Sequence, residues 1–316
     1  MLLKPERLSL GDKIAIVAPA SAPPDPDVIE KCAAAVEALG FRPALSRNVH
    51  KRLGFLAGND RERASDLMRA FQDRSIKGIL CVRGGYGTSR LIPLLDYGVI
   101  KANCKVLVGY SDITSLHCAL LRYSRLVSFH GPMLNSDLIK DDMPMFTRES
   151  FLRSLMQADP SGSIRQGYTG ATRILRKGRA EGVLVGGNLT LLCATVGTPY
   201  QPSLKGKLLF FEDLDEVPYR FDRMLTQLLS AGMLQGVAGI AIGINENCND
   251  PKAGTTSEYR QTLEDVLSER LKPLGVPVVM DLPFGHVSHN ATLPIGVRAV
   301  LDANRGDLVI TESAVR

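Results

Sequence analysis

The chain has 316 residues, of which 45% are hydrophobic and 22% charged, values that fit a folded globular protein and exclude a disordered or fibrous one. At roughly 100 to 200 residues per domain this length predicts two domains, each able to bury its own core. The net charge of +5 arises from 38 basic and 33 acidic residues dispersed along the chain, without the basic block that neutralises phosphates, so a nucleic-acid partner is not expected.

Six cysteines, Cys32, Cys81, Cys104, Cys118, Cys193 and Cys248, form no C-x-x-C pair. They read as reduced, mostly buried small hydrophobes and favour a reducing, cytoplasmic compartment. Charges at Lys4, Glu6, Arg7 and Asp12 interrupt the first residues, so no signal peptide is expected. The uncharged stretch 182–204 is broken by paired glycines, Asn188, Pro199 and Pro202. It lacks the ~20 consecutive apolar residues that cross a bilayer, and no membrane partner is expected.

In chain order, the continuous apolar runs 13–18, 78–82, 105–108 and 126–129 read as strands covered on both faces. Between the first two, Asp25-Pro26 predicts a helix start, Val28, Cys32, Val36 and Leu39 form one stripe, and Gly40 closes it. A second helix is predicted from about Asp60, with Ala64, Leu67, Met68 and Phe71 at helical spacing. This alternation predicts an α/β domain on a parallel sheet over residues 1–158. The composition turns to Pro, Ser, Gly, Gln and Thr near 159–172, and a linker is expected over 159–180. Strand-like runs at 182–185, 207–211, 237–244 and 276–280, with helices around Leu225 and Leu267, predict a smaller β-rich α/β domain over 181–316. The stretch 283–294 reads as a connection.

Open parallel sheets gather ligands at the carboxyl ends of their strands. Here those ends carry Arg83-Gly84-Gly85-Tyr86-Gly87, Tyr110-Ser111-Asp112 and His130-Gly131-Pro132. A serine between a strand and a helix is held proud of the sheet beside free N–H groups, the geometry of a nucleophile elbow. Serine is equally a common helix cap, and both readings stand for Ser111. The glycine-rich turn lets backbone donors approach an oxyanion, but its spacing matches no nucleotide-binding fingerprint. A plain tight turn is the alternative.

A serine nucleophile requires a base, and the chain has five histidines. His50 lies in a polar loop, His117 on the apolar stripe of the helix after Ser111, and His130 at a strand end. His286 and His289 share a loop after a strand, where function concentrates. A carboxylate must orient the imidazole. Glu212 directly follows an apolar strand, whereas Asp215 reads as a solvated loop acid. No H-x-x-x-H or similar ligand spacing occurs, so neither a metal nor another cofactor is expected.

Taken together, Arg83-Gly-Gly-Tyr-Gly87, Gly109-Tyr-Ser-Asp-Ile-Thr114, His130-Gly-Pro-Met133, Gly186-Gly-Asn-Leu189, Glu212-Asp213 with Pro218-Tyr219-Arg220, and Gly285-His286 with Leu293-Pro-Ile-Gly296 resemble the LD-carboxypeptidase family. The match runs in order along nearly the whole chain. The resemblance implies a serine peptidase with Ser111 as nucleophile, Glu212 as orienting acid and His286 as base, His286 being preferred to His289 because it follows Gly285. It also implies an oxyanion hole from the backbone of Gly85 and Asp112, with Gly84 as a substitute, and an enzyme assembled across two domains. The implied substrate is a muropeptide: a cytoplasmic murein tetrapeptide that loses its terminal D-alanine during peptidoglycan recycling. Arg83, with Gly84 and Tyr86, is the candidate for substrate binding, since a guanidinium suits a carboxylate. A homodimer is expected from the resemblance. Two alternatives remain, a same-family amidase that cleaves a peptide-nucleotide antibiotic and a two-lobed binding protein without catalysis.

Overall fold

In a computed structural model, which describes residues 2–25, 27–249 and 261–316, the chain folds into two α/β layers built on separate sheets. The strands are β1 (Lys13–Val17), β2 (Arg42–Leu45), β3 (Ile76–Cys81), β4 (Val106–Gly109), β5 (Ser128–His130), β6 (Gly162–Ser163), β7 (Arg173–Arg176), β8 (Arg179–Asn188), β9 (Lys207–Glu212), β10 (Gly239–Gly243), β11 (Val278–Leu282), β12 (Leu293–Ile295), β13 (Arg298–Asp302) and β14 (Asp307–Ile310). The helices are α1 (Val28–Ala38), α2 (Asp60–Gln72), α3 (Thr88–Leu91), α4 (Tyr97–Ala102), α5 (Ile113–Ala119), α6 (Met145–Met156), α7 (Leu189–Ala194), α8 (Pro218–Ser230) and α9 (Leu263–Leu271).

The first sheet has the order β12-β5-β4-β3-β1-β2, parallel except for β12. The second has the order β6-β14-β13-β8-β9-β10-β11-β7, with a parallel centre from β8 to β11 and antiparallel flanks. Buried side chains on both faces of the parallel strands, such as Val106 and Val108 on one face with Leu107 on the other, and Leu208 and Phe210 on one face with Leu209 and Phe211 on the other, explain why these elements read as continuous apolar runs. One buried cluster runs from Ile14 and Phe129 through Phe284 to Leu184, Phe210 and Leu301, so the two sheets share a core.

Several expectations are corrected. Asp25-Pro26 does not open α1: the helix begins at Val28 with Asp27 at its cap, and Asp25 instead accepts the Asp27 N–H at 2.9 Å in a turn before the helix. Pro26 lies outside the described residues. The stretch 159–180 is more than a linker, because β6 and β7 lie within it as flanking strands of the second sheet. Their residues are exposed or half-buried, so no apolar pattern marks them. Within 283–294, read as a connection, Leu293 and Pro294 begin β12, which crosses back to pair antiparallel with β5 of the first sheet. Residues 181–316 therefore do not all belong to the second sheet. Proline is tolerated there because β12 is an edge strand, as is β2, whose Pro43 hid it.

Gly186 shows how tightly β8 and β9 approach. A Cβ there would lie 1.8 Å from the Phe210 carbonyl oxygen, a backbone atom that no rotamer change can move. Gly186→Ala is expected to cost about 3 kcal/mol, the upper part of the range for overpacking, because the atom it meets is backbone. The urea midpoint checks this, and a midpoint matching the native protein would contradict so close an approach.

Candidate active site

β4 ends at Gly109 and α5 begins at Ile113, so the chain must reverse direction within the residues between them. Ser111 absorbs that turn with φ of 61°, a left-handed conformation that costs a non-glycine residue about 1 to 2 kcal/mol. Such strain persists only where the surroundings over-determine it. Asp112, fully buried, accepts the Thr88 N–H at 2.8 Å, and the Thr88 hydroxyl donates to the Asp112 carbonyl. His117 locks the approach from below: Nε2–H donates to the Gly109 carbonyl and Nδ1 accepts from the Ser128 hydroxyl, both at 2.8 Å. Burial lowers the His117 pKa to about 4, so the ring is a neutral, satisfied core group.

The glycine-rich turn after β3 lies against the serine. A Cβ on Gly84 would sit 2.9 Å from Ser111 Cβ, 3.1 Å from Ser111 Oγ and 3.3 Å from the Asp112 nitrogen, so only glycine leaves this space open. Gly85 has φ of 101°, and a Cβ there would meet Ser21 Oγ at 2.5 Å. Ser21 Oγ accepts the Tyr86 N–H at 3.1 Å. Among the described residues, no backbone hydrogen bond outside helices and strands takes up the N–H of Gly85 or of Asp112. Arg63, itself buried, donates to the carbonyls of Pro19 and Gly87 and so ties the turn to the end of β1. Arg83 is half-buried and forms no ion pair among the described residues; its nearest acceptor is the Ala22 carbonyl at 3.4 Å.

From the second sheet, β9 ends on Glu212, whose side chain is fully buried. Its Oε2 accepts a hydrogen bond from His286 Nδ1 at 2.6 Å, while Oε1 has no partner among the described residues. Burial, the largest influence on His286, disfavours its cation, but the charge and hydrogen bond of Glu212, with Asp213 and Asp137 beyond, outweigh it and raise the pKa. His286 lies on the segment between β11 and β12, which leaves one sheet and enters the other. The Tyr110 ring, adjacent to Ser111 in sequence, meets the His286 ring edge-on with centroids 4.8 Å apart. Among the described residues no hydrogen bond joins the Ser111 hydroxyl to His286. His289 is exposed and packs near Phe146 and Tyr168, away from Glu212. His50 is exposed beside Glu30, and Asp215 is exposed.

Sequence reasoning missed two sets of residues. Asp137 is buried, accepts the Met133 N–H at 3.0 Å, faces the Tyr110 hydroxyl at 3.5 Å, and has its pKa raised to about 6 by burial. Nothing in the run 134–138 signals it. The second set couples the sheets. Thr114 Oγ1 of α5 accepts the Asn188 N–H at 2.9 Å, and Asn188 Nδ2 donates to Asp213 at 2.8 Å. Burial first, then the charge of Glu212, raises the Asp213 pKa. Thr114, Asn188 and Asp213 all fall within motifs that the sequence displays, but their pairing is a property of the fold. His130 is fully buried among Tyr110, Phe210 and Phe284, with both ring nitrogens unpartnered among the described residues. Burial holds its pKa well below the ordinary value, so it is neutral. Among the described residues no group of three or more His, Cys, Asp or Glu is arranged to hold a metal.

Comparison with known proteins matches residues 14–131 to the LD-carboxypeptidase N-terminal domain and residues 181–301 to the LD-carboxypeptidase C-terminal domain. A probable murein peptide carboxypeptidase of Bacillus subtilis (strain 168) is 39% identical over 310 residues, covering 97% of this chain and 94% of that protein. The crystal structure of muramoyltetrapeptide carboxypeptidase from Oxalobacter formigenes superposes with a TM-score of 0.81 at 34% identity, covering 94% of this chain and 97% of that one. The microcin C7 self immunity protein MccF, in an inactive mutant apo state, superposes with a TM-score of 0.89 at 25% identity, covering 99% of this chain and 100% of that one.

The balance at His286 is directly measurable. Its NMR titration midpoint is expected above the ordinary imidazole value of about 6.5, and Glu212→Gln is expected to bring it below that value by leaving burial largely unopposed. The contribution of the pair to folding is then present below about pH 6.5 and lost as pH rises through the raised folded value. A midpoint that stays raised in the variant would show that Glu212 does not set it.

Proposed function

The chain belongs to the LD-carboxypeptidase family, and from that premise we propose that it is a serine-type hydrolase that removes the terminal D-alanine from murein tetrapeptides. The observation that carries this reading is the hydrogen bond from His286 to the buried Glu212, with the imidazole packed on the ring of Tyr110, the neighbour in sequence of a serine held at φ of 61°. Because Nδ1 donates to Glu212, the neutral ring has its other nitrogen, Nε2, free to accept a proton. In this mechanism Ser111 Oγ attacks the carbonyl carbon of the scissile amide as His286 Nε2 takes the hydroxyl proton, giving a tetrahedral oxyanion. The N–H groups of Gly85 and Asp112 stabilise that oxyanion in the space that Gly84 leaves open. His286 then protonates the leaving amine of D-alanine, and water releases the tripeptide acid by the same sequence in reverse. Glu212 keeps the ring oriented and stabilises the transient imidazolium. In this mechanism the hydrogen bond between Ser111 and His286 forms when substrate is in place, since catalytic hydrogen bonds are often long or poorly aligned in the free enzyme.

Arg83 is the group assigned to the terminal carboxylate, since its guanidinium has no acidic partner among the described residues and borders the turn. The identities of 39% and 34% to murein and muramoyltetrapeptide carboxypeptidases, against 25% to MccF, favour the murein peptide over an antibiotic conjugate. On this reading the enzyme works in the cytoplasm as a homodimer during peptidoglycan recycling, as the family resemblance implies. Among the described residues no helix is long and apolar enough to cross a membrane.

The purified protein is expected to release D-alanine from a free murein tetrapeptide without added metal, measured by chromatography of the products. Ser111→Ala should abolish turnover, and Glu212→Gln and His286→Ala should each lower kcat by roughly 10⁴-fold. His289→Ala should retain activity. Undiminished turnover in Ser111→Ala would reject the nucleophile. The acid limb of kcat/KM should follow His286, rising with pH through a midpoint above about 6.5, because only the neutral ring accepts a proton. A limb centred well below that value would assign the base elsewhere.

A further inference from the structure

Asp137 is a buried carboxylate that the mechanism above does not use. It lies on the helical turn Leu134–Leu138 with 7% of its surface exposed, and its Oδ2 accepts the Met133 N–H at 3.0 Å. Among the described residues no cation pairs with it: Lys140, three residues on, is exposed, where water screens its charge. Burying a carboxylate without a cation is costly. One buried side chain, Tyr110, touches both Asp137 and the base of the site. Its hydroxyl faces Asp137 Oδ1 at 3.5 Å, and its ring meets the His286 ring edge-on with centroids 4.8 Å apart. A contact of 3.5 Å is too long for a strong O–H···O bond, so what Asp137 offers His286 is charge and not a proton relay. The neutral His130 ring also packs on Tyr110, and on Phe210 and Phe284, which leaves the surroundings apolar. A charge acts further in such a medium than in water.

We propose that Asp137 is a positioning residue for the reaction, a second carboxylate whose charge stabilises the imidazolium that His286 becomes on taking the Ser111 proton. This rests on the peptidase reading above. The charged groups that act on His286 are Glu212, Asp213 and Asp137. Glu212 holds Nδ1, and Asp213 is taken up by Asn188, Thr190 and the Leu214 N–H. Asp137 accepts one backbone N–H at ordinary length and keeps its charge for the ring. Burial raises its pKa to about 6, so it is ionised at neutral pH and above, where the neutral base works. Asp137 neither gives nor takes a proton in the cycle: the Ser111 proton passes to His286 Nε2 and on to the leaving amine.

Asp137→Asn removes the charge and keeps an acceptor for the Met133 N–H. Without substrate, its His286 midpoint by NMR is expected to fall by about half a pH unit, as loss of one partly screened charge implies. The high-pH plateau of kcat for a murein tetrapeptide should fall about threefold, the same free energy read in the transition state. The acid limb then moves to lower pH while the plateau drops, a combination that a loosened structure does not produce, and KM should hold. Electrostatic coupling is reciprocal, so the Asp137 carboxyl midpoint should rise by a similar amount in His286→Gln, a measurement independent of whether the Asp137 variant folds. Unmoved midpoints in both variants overturn the proposal, and so do shifted midpoints with an undiminished plateau. A native protein that cleaves no tetrapeptide overturns the peptidase reading itself, and the role of Asp137 falls with it.

Discussion

The hydrogen bond between Glu212 and His286 is the interaction on which the site depends, because it joins a strand end of the second sheet to the segment that crosses between sheets. Glu212 is a fully buried carboxylate whose second oxygen has no partner among the described residues. A buried charge of this kind is tolerated only when paired, and the effective penalty for leaving it alone is several kcal/mol. The imidazole is its direct partner. Such an arrangement contributes little to stability and makes sense as a means of fixing the tautomer and plane of a ring.

The remaining structure keeps that pair in register with Ser111. From one side, Thr114 of α5 accepts from Asn188, which donates to Asp213, the residue after Glu212. Asp213 in turn donates its N–H to Asn245. From the other side, α6 holds the histidine segment: Thr147 accepts the Asn290 N–H and donates to the Ser288 carbonyl, and Ser150 accepts the Thr292 N–H. Asn290 then accepts the Gly285 N–H at 3.2 Å. These bonds are mostly buried, where unmade partners are costly, so the lobes have few alternative arrangements. The shared hydrophobic cluster adds a non-directional term to the same end.

Much of this was legible in the sequence, for reasons that differ by element. Central parallel strands announce themselves because both faces are buried, as with 78–82 and 207–211, and α2 and α8 because one face is. The elbow at Ser111 is visible because a strand and a helix abut there with too few residues between them for an ordinary loop. Edge strands were not legible: β2 and β12 contain Pro43 and Pro294, and β7 exposes Arg173 and Arg176. Membership of β12 in the first sheet is a long-range pairing that no local pattern encodes. The contacts of Asp137 with Tyr110, and of Thr114 with Asn188, were hidden for the same reason. His286 and His289 could be ranked only by resemblance. In the structure they differ by burial and by the carboxylate that one of them meets.

The central claim is that Ser111 is chemically activated by a base that Glu212 holds in place. The most direct measurement is the rate and position of covalent modification by a fluorophosphonate, with the adduct located by peptide mass spectrometry. The account predicts a single adduct on Ser111, formed orders of magnitude more slowly in Glu212→Gln. An adduct on another serine, or labelling of Ser111 at the native rate in that variant, would contradict it.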